Sequence, residues 1–242
     1  MNLQNPKKFQ LLLDQAHETA LNVLRPISRK YDKAEHTYPK ELDMLASLLD
    51  GMNDGGDGLN AGAAVNKRGD QDNSNKNGVN MSTALGVIEM CYGDTGLLLS
   101  MPRQGLGNSA IAAVANDEQL ERFKGTWAAM AITEPGCGSD SAAIRTTATK
   151  DGDDYILNGE KIFVTSGERA DAVVVWATLD KKVGRAAIKS FVVAKGTAGM
   201  KVERLEHKLG IKASDTAVIS FIDCRVPAAN LLGNAEIDVA KG

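Results

Sequence analysis

Hydrophobic residues in the first part of the chain recur at helical spacing. One apolar stripe is formed by Phe9, Leu12, Leu13, Ala16, Ala20 and Leu24. Asn5 and Pro6 precede it, and an asparagine cap followed by proline in the first turn is a typical helix start. A second helix is predicted over residues 42–49, beginning after Pro39 and ending at Gly51.

The stretch 51–80 interrupts this helical pattern. It is rich in glycine, asparagine and aspartate and has almost no large apolar residue, so we predict a long loop. Residues 81–99 and 109–123 return to small and aliphatic side chains and predict further helices. The first half of the chain is therefore predicted to be all-helical.

The pattern changes near Trp127, where alternating and continuous apolar runs typical of strands begin. Asp151-Gly152 and Asn158-Gly159 separate the first three runs, and these dipeptides tolerate the positive φ of tight turns. They predict two consecutive hairpins. The predicted strands are 146–150, 155–157, 161–165, 172–177, 190–194 and 218–222.

These elements predict an α+β fold with two domains. Residues 1–126 would form an N-terminal helical domain that includes the loop 51–80. Residues 127–235 would form a middle domain built as an antiparallel β-sandwich or barrel. A chain of 242 residues is long enough for two such cores.

Composition excludes several classes of function. Hydrophobic residues make up 43% and charged residues 24% of the chain, and the formal net charge is -3, so no nucleic-acid partner is indicated. Neither a signal-peptide pattern nor a stretch long enough to span a bilayer is present. We expect a cytoplasmic protein.

The cysteines and histidines are few and far apart in sequence. They are Cys91, Cys137, Cys224, His17, His36 and His207. Their spacing matches no zinc or redox motif and gives no cysteine-histidine nucleophile pair, so we expect reduced thiols and no metal site.

The stretch 131–140 holds the most informative pattern, in which a strand leads into a turn with two glycines and several hydroxyls. Gly136 and Gly138 would permit the turn conformation and let backbone amides approach a ligand, while Thr133 and Ser139 could donate to carbonyl or phosphate oxygens. The same residues are also compatible with a glycine-containing β-turn that binds nothing.

A second glycine motif, residues 105–110, has the spacing G-x-G-x-x-A of a dinucleotide site. Such a site requires a strand before the motif and a helix after it within a parallel βαβ unit. Antiparallel strands are predicted after this motif, so the dinucleotide interpretation is disfavoured. The sequence contains no phosphate-binding G-x-x-x-x-G-K-[ST] and no hydrolase G-x-S-x-G.

Four segments in the same order resemble the acyl-CoA dehydrogenase family. They are 131–143, 155–167 with its Y-I-L-N-G-E-K and F-V-T-S-G, 208–216 with K-L-G-I-K-A-S-D-T, and 225–233 with R-V-P and N-L-L-G. Gly55-Gly56 and the order of helices before strands agree. The resemblance covers nearly the whole chain.

The resemblance implies an oxidoreductase that binds FAD and dehydrogenates an acyl-CoA thioester to the trans-2-enoyl-CoA, as in fatty-acid β-oxidation. A carboxylate would take the Cα proton while the flavin accepts hydride from Cβ, and electrons would pass to an electron-transfer flavoprotein. The family forms oligomers, so a homo- or hetero-tetramer is expected.

The resemblance also implies which residues hold the flavin ring. Thr133 would hydrogen-bond its pyrimidine edge, and Met130 and Ile132 would add strand contacts. Thr165 would lie near N5 and O4 of the ring. Phe163, where the family usually has tryptophan, would cover one edge.

The remaining implied contacts involve the phosphate and coenzyme A ends of the ligands. Gly138 and Ser139 would approach the FAD pyrophosphate, and Ser139 would also contact the CoA chain. Val164 would join the cofactor contacts beside Thr165. Arg185 is a candidate for the CoA end.

The catalytic base is not expected in this chain. Glu134 and Asp140 are expected to be local acceptors for turn amides, and neither Asp223 nor Glu236 is a candidate. By resemblance the base belongs to a carboxy-terminal helical domain, and residues 236–242 would begin the linker to it. The chain is therefore expected to be truncated and inactive alone.

Two other functions remain compatible with the sequence. The chain could be a non-catalytic subunit of a mixed acyl-CoA dehydrogenase oligomer, which would co-purify with a longer partner. It could also belong to an acyl-CoA oxidase, in which the reduced flavin reacts quickly with oxygen.

Overall fold

The structure, a computed structural model, describes residues 7–53, 79–102 and 106–237. The described residues divide into two compact units, one of 7–53, 79–102 and 207–214 and the other of 106–206 and 215–237. The predicted cap at Asn5 and Pro6, most of the predicted loop 51–80 and the pair Gly55-Gly56 lie outside the described residues. The boundary near Trp127 stays a prediction.

The first unit is helical, as predicted. Its elements are a 3-10 turn (Lys7–Phe9), α1 (Gln10–Thr19), a π-helical segment (Ala20–Leu24), α2 (Arg25–Lys33), α3 (Glu41–Asn53) and α4 (Val79–Leu99). The predicted stop at Gly51 is wrong, because α3 continues to Asn53. A helix tolerates an internal glycine at a cost of only about 1 kcal/mol.

Helix α4 contacts the π-helical segment at very short range. A Cβ on Gly93 would lie 2.7 Å from Ala20 O, so only glycine fits there. The next residue, Asp94, leaves the helical conformation, and its Oδ1 accepts a 2.8 Å hydrogen bond from Leu97 N. Ser28 Oγ donates to the other oxygen of Asp94. Hydrogen bonds of the Asp94 and Ser28 side chains therefore stabilise the kink in α4.

The carboxylate of Glu41 makes this unit sensitive to acid. Lys30 Nζ donates to Glu41 Oε1 at 2.7 Å and the buried Tyr31 hydroxyl donates to Oε2. These hydrogen bonds lower the pKa of Glu41 from 4.5 to about 2. Because the folded-state pKa lies below the unfolded one, the stabilisation is present above pH 4.5 and is lost as the pH falls toward 2.

We expect Glu41→Gln to reduce the dependence of stability on pH between pH 4.5 and 2. Urea unfolding at a series of pH values, followed by circular dichroism, measures this dependence. Glu18→Gln, at an exposed position of α1, is the control and should leave the dependence close to that of the unsubstituted chain. An unchanged pH dependence in Glu41→Gln would contradict the prediction.

The second unit is a seven-stranded sheet with two helices. Its elements are α5 (Leu106–Val114), α6 (Asp117–Arg122), β1 (Ala128–Ala131), β2 (Thr147–Asp151), β3 (Asp154–Thr165), β4 (Ala172–Thr178), β5 (Ile188–Ala194), β6 (Met200–Leu205) and β7 (Thr216–Pro227). Three 3-10 turns, Ser141–Ala143, Gly184–Ala187 and Ala228–Asn230, complete it.

The strand order is β1-β4-β2-β3-β7-β6, and β5 pairs with β4. The α+β fold class is confirmed. Most pairs are antiparallel, but β1 runs parallel to β4, and β2 meets β4 in parallel at Thr147 and Thr178, so the sheet is mixed. The sequence pattern does not distinguish these cases, because alternation reports a buried face and not a strand direction.

Of the two predicted hairpins, only the first is present. Asp151 pairs with Asp154 around Gly152, which has φ of 57°. The hairpin at Asn158-Gly159 is wrong, because β3 runs through both residues. Gly159 has φ of 156°, and a Cβ there would lie 2.3 Å from Thr146 Oγ1, so this glycine serves close packing beside a β-bulge.

Hydrophobic residues of the sheet form two clusters. The larger one lines one face of the strands and includes Leu157, Val164, Phe191, Ile219 and Phe221, all at most 1% exposed. The smaller one packs Ile111 of α5 and Phe123 against Ala128, Ala172, Val174, Val192 and Leu232. The sheet thus has a core on one side and a helical cover on the other.

The described part of the second glycine motif, residues 106–110, begins α5 and is not placed as a dinucleotide site requires. Among the residues that the structure describes, α5 follows α4 and precedes β1, and no strand of a βαβ unit precedes the motif. Gly107 lies directly against β1, and Asn108 bonds the backbone at Thr126 O and Ala128 N at 2.6 and 2.9 Å. The motif therefore joins helix to sheet. No helix in the described ranges is long and apolar enough to cross a membrane.

Candidate functional site

The glycine turn that follows β1 is attached to the neighbouring strand β3. Glu134 and Cys137 exchange two backbone hydrogen bonds, N to O, of 2.9 and 3.2 Å. Ile162 N donates to Thr133 O at 2.9 Å, which extends the contact of β1 with β3 beyond the end of β1. Hydrogen bonds therefore fix the turn at Thr133, where it leaves β1, and between Glu134 and Cys137, where it closes.

The buried carboxylate of Glu134 connects this turn to neighbouring segments through hydrogen bonds. Glu134 Oε1 accepts hydrogen bonds from Thr146 N, Thr146 Oγ1 and Lys161 Nζ at 2.9, 2.6 and 2.8 Å, and Oε2 accepts from Arg145 N at 2.7 Å. Lys161 Nζ also donates to Ile132 O at 2.9 Å. Glu134 is thus an acceptor for backbone amides, but for those of Arg145 and Thr146 rather than for amides of the turn that follows it.

The ion pair between Glu134 and Lys161 lies in the protein interior, with side chains 7% and 0% exposed. Burial opposes the charged form of Glu134, but the hydrogen bonds from Lys161, Thr146 and Arg145 outweigh it and lower the pKa of the carboxyl. Burial lowers the pKa of Lys161, while Glu134 acts in the opposite direction. We regard both groups as charged, because each ion lies within hydrogen-bonding distance of the other.

Sequence reasoning missed Lys161 as part of the site. A signal was present, since Tyr155 and Leu157 of the same strand are buried and Lys161 falls on the same alternating phase. A lysine at a core position is almost always paired. Its partner, however, lies 27 residues earlier in the chain and is identified only by the fold.

The two glycines of the turn behave differently from the sequence expectation. Neither Gly136 nor Gly138 has a positive φ. A Cβ on Gly136 would meet no atom within 4 Å, and one on Gly138 would meet only Thr133 Cγ2 at 3.9 Å. The turn conformation therefore does not require them. Both are exposed, so their backbone remains open to close approach by a ligand.

Phe163 is the most unusual residue of the site. It has φ of 58° and lies in a β-bulge where the register of β3 and β7 shifts between Lys161 and Val164. A large residue in the left-handed region costs about 1–2 kcal/mol. The residue is 60% exposed, so local packing does not offset that cost. Such strain is typical of a functional position, and the bulge redirects the side chain.

The other residues predicted for the flavin ring surround this bulge and the turn. Met130, Ile132, Thr133 and Thr165 are all half-buried. Val164 is 1% exposed and lies in the sheet core, so only its backbone is able to contact a ligand. The bond from Ile162 N to Thr133 O brings the two threonine-bearing segments side by side.

Ser139 and Arg185 are both exposed. Ser139 comes two residues before the 3-10 turn Ser141–Ala143, and Arg185 lies in the turn Gly184–Ala187 that packs against it. Asp140 contributes its carbonyl oxygen, which accepts from Ala143 N at 3.1 Å. The role expected for the Asp140 side chain stays a prediction.

The expectation of no metal site stays a prediction, but the fold places two histidines beside a carboxylate, which spacing in the sequence did not indicate. In the helical unit, Glu35, His36 and His207 each offer one ligand atom, and these atoms all lie within 4.8 Å of one another. His36 and His207 are far apart in sequence, so spacing gave no sign of the cluster. The fold brings the segment 207–214 to the helices and creates it.

Comparison with known proteins identifies relatives of this chain. Residues 129–224 match the family model described as acyl-CoA dehydrogenase, middle domain. The chain is 31% identical over 241 residues to the short-chain specific acyl-CoA dehydrogenase of Clostridium acetobutylicum, covering 96% of this chain and 60% of that protein. Over 132 residues it is 46% identical to acryloyl-CoA reductase (NADH) of Anaerotignum propionicum, covering 51% of this chain and 34% of that protein.

A solved structure has a similar fold. The butyryl-CoA dehydrogenase from Megasphaera elsdenii superposes with a TM-score of 0.77 at 28% identity, covering 97% of this chain and 61% of that one. The fold is thus that of acyl-CoA dehydrogenases in their helical and middle β domains. The chain belongs to the acyl-CoA dehydrogenase family. It spans 60% of the length of the Clostridium relative.

Proposed function

We propose that one surface of the chain binds FAD in an enzyme that dehydrogenates an acyl-CoA thioester to the trans-2-enoyl-CoA. This surface, the flavin platform, consists of Met130, Ile132, Thr133, Gly138, Ser139, Phe163, Val164 and Thr165. The observation that supports this most strongly is the exposed and strained Phe163, next to a turn with open backbone. A surface of this kind offers an aromatic face, hydroxyl donors and accessible amides together. Those are the groups that a flavin ring and its pyrophosphate require.

The chemistry of the surface is compatible with FAD. Half-buried Thr133 and Thr165 are able to donate to carbonyl oxygens and ring nitrogens of the flavin. Phe163 would pack against an edge of the ring. Gly138 and Ser139, both exposed, would contact the pyrophosphate through an amide and a hydroxyl. Bound FAD would supply a two-electron acceptor for the hydride from Cβ.

The roles of the protein groups follow from where charge develops. In such a reaction negative charge would develop on the thioester oxygen and on the flavin, and fixed donors of the protein would stabilise it without reorganisation. Thr165 would donate near N5 and O4. Arg185, on the turn next to Ser141–Ala143, would pair with phosphate groups of coenzyme A.

Glu134 is unsuited to remove the Cα proton. Its oxygens already accept four hydrogen bonds, and the pKa of its carboxyl is lowered, whereas a general base works best with a pKa near the working pH. We therefore propose that the base comes from outside these residues. The chain alone would then bind FAD without turning over substrate. Electrons would leave to an electron-transfer flavoprotein, and the active assembly would be a tetramer.

We expect Phe163→Ala to weaken FAD binding about tenfold, since the ring loses its aromatic contact. Thr133→Val or Thr165→Val should weaken it about threefold to tenfold through loss of one hydrogen bond. Fluorescence titration with FAD measures the affinity. Thr149→Val, at an exposed position of β2, is the matched control and should bind as the unsubstituted chain does.

Two results would contradict the proposal. If the unsubstituted chain has no measurable affinity for FAD, the surface is not a flavin platform. If flavin absorbance bleaches on anaerobic addition of an acyl-CoA to the chain alone, the catalytic base lies within the 242 residues of the chain. A longer partner that co-purifies, or rapid reaction of the reduced flavin with oxygen, would favour the subunit or oxidase functions.

A further inference from the structure

The helical unit contains a group of potential metal ligands separate from the proposed flavin platform. Glu35 and His36 follow the end of α2 at Lys33, and His207 begins the segment that joins the helices after β6. The three ligand atoms lie within 4.8 Å of one another. Nothing in the flavin chemistry uses these residues.

The distances between the atoms are close to those of a coordination sphere. His207 Nδ1 lies 3.0 Å from Glu35 Oε2, and His36 Nε2 lies 3.9 Å from Glu35 Oε1. Ligand bonds to Zn²⁺ of about 2.0–2.1 Å place neighbouring donor atoms roughly 3.3 Å apart in tetrahedral geometry. The His207 side chain is 84% exposed, so it has space to adjust toward the other two ligands.

Two of the three ligands are oriented through the backbone, Glu35 by a hydrogen bond and His36 by its φ. Lys208 N donates to Glu35 Oε1 at 2.9 Å, and such outer contacts orient metal-binding carboxylates. His36 has φ of 67°, a left-handed conformation that histidine adopts more readily than most residues. The two imidazole rings lie 5.1 Å apart between centroids. The side chains of Glu35 and His36 are 18% and 21% exposed.

We propose that Glu35, His36 and His207 bind a divalent transition-metal ion of the zinc type. Two imidazoles and one carboxylate select such an ion over Mg²⁺ or Ca²⁺, which prefer all-oxygen ligands. Because His207 is exposed, water would complete the coordination. The ion would link the end of α2 to the segment 207–214 and stabilise that connection.

Zinc binding is tested directly on the tag-free 242-residue chain after dialysis against a chelator. Calorimetric titration with Zn²⁺ should show one saturable site per chain. With zinc about 100-fold above the dissociation constant, Tm should rise by about 5 °C or more. Co²⁺, used as a spectroscopic substitute, should give visible bands at the same stoichiometry.

Two variants and a control locate the site. His207→Ala and Glu35→Gln should each lower zinc affinity at least about tenfold and abolish most of the Tm rise, since each removes one ligand. His17→Ala is the control, because His17 also contacts a carboxylate, Glu89 at 2.8 Å, but lies outside the cluster. It should bind zinc like the unsubstituted chain.

Three results would overturn the proposal. One is an absence of saturable binding below millimolar Zn²⁺ in the unsubstituted chain. Another is unchanged affinity in both His207→Ala and Glu35→Gln, which would place the zinc on other groups such as the cysteines. The third is loss of binding in His17→Ala alone. A melt without zinc checks that each variant is folded before its affinity is interpreted.

Discussion

Lys161→Met is expected to lower the free energy of unfolding by about 3–5 kcal/mol, because it leaves the charge of Glu134 buried without its partner. Lys161 is 0% exposed and Glu134 is 6% exposed, so water does not replace the lost ammonium. The substitution also removes the hydrogen bond to Ile132 O. Urea unfolding monitored by tryptophan fluorescence measures the loss.

The same substitution should weaken FAD binding even though Lys161 is not among the proposed flavin contacts. Its ammonium joins β3 to the segment 132–134, which carries Thr133 toward the ligand surface. Without that link the turn is free to shift, and small displacements of binding groups reduce affinity. We therefore predict that Lys161 positions the platform without contacting the flavin itself.

Two comparisons separate the buried charge from other effects of the change. Lys181→Met makes the same substitution at an exposed turn and should change stability by no more than about 0.5 kcal/mol. Glu134→Gln combined with Lys161→Met removes both charges and should recover part of the loss. If Lys161→Met alone is as stable as the unsubstituted chain, the ion pair between Glu134 and Lys161 does not stabilise the turn.

Gly107→Ala is expected to destabilise the sheet unit by about 1–3 kcal/mol, as overpacking in a close interface does. The added Cβ would lie 2.2 Å from Ala129 O and 2.5 Å from Ala128 O, so α5 and β1 must separate. Backbone atoms are unable to rotate away as a side chain does. Alanine is the better helix former, so the net loss understates the steric cost.

Gly136→Ala is the matched control for this prediction. Gly136 is exposed, has no positive φ, and a Cβ there meets no atom within 4 Å. Its unfolding midpoint in urea should therefore stay near that of the unsubstituted chain. Equal effects of the two alanines would indicate that the contact of α5 with β1 is looser than these distances show.

Much of the secondary structure was predictable because it follows from local patterns. The helical stripe ending at Leu24 and the strand at 172–177 depend on periodic burial, which is visible in the sequence. The Asn158-Gly159 hairpin failed because a turn-forming dipeptide also suits a bulge, and pairing with β7 decides between them. Strand β6 was missed because its residues are half-buried or exposed, which weakens alternation.

The sequence by itself determined the α+β class, the order of helices before strands, and the turn 131–140 with its hydroxyl and glycine residues. These depend on residues close together in the chain. Only the tertiary structure decided the pairing of Glu134 with Lys161, the strained position of Phe163, and the meeting of Glu35 with His207. Each depends on segments that are far apart in sequence or on strand register, which local patterns do not encode.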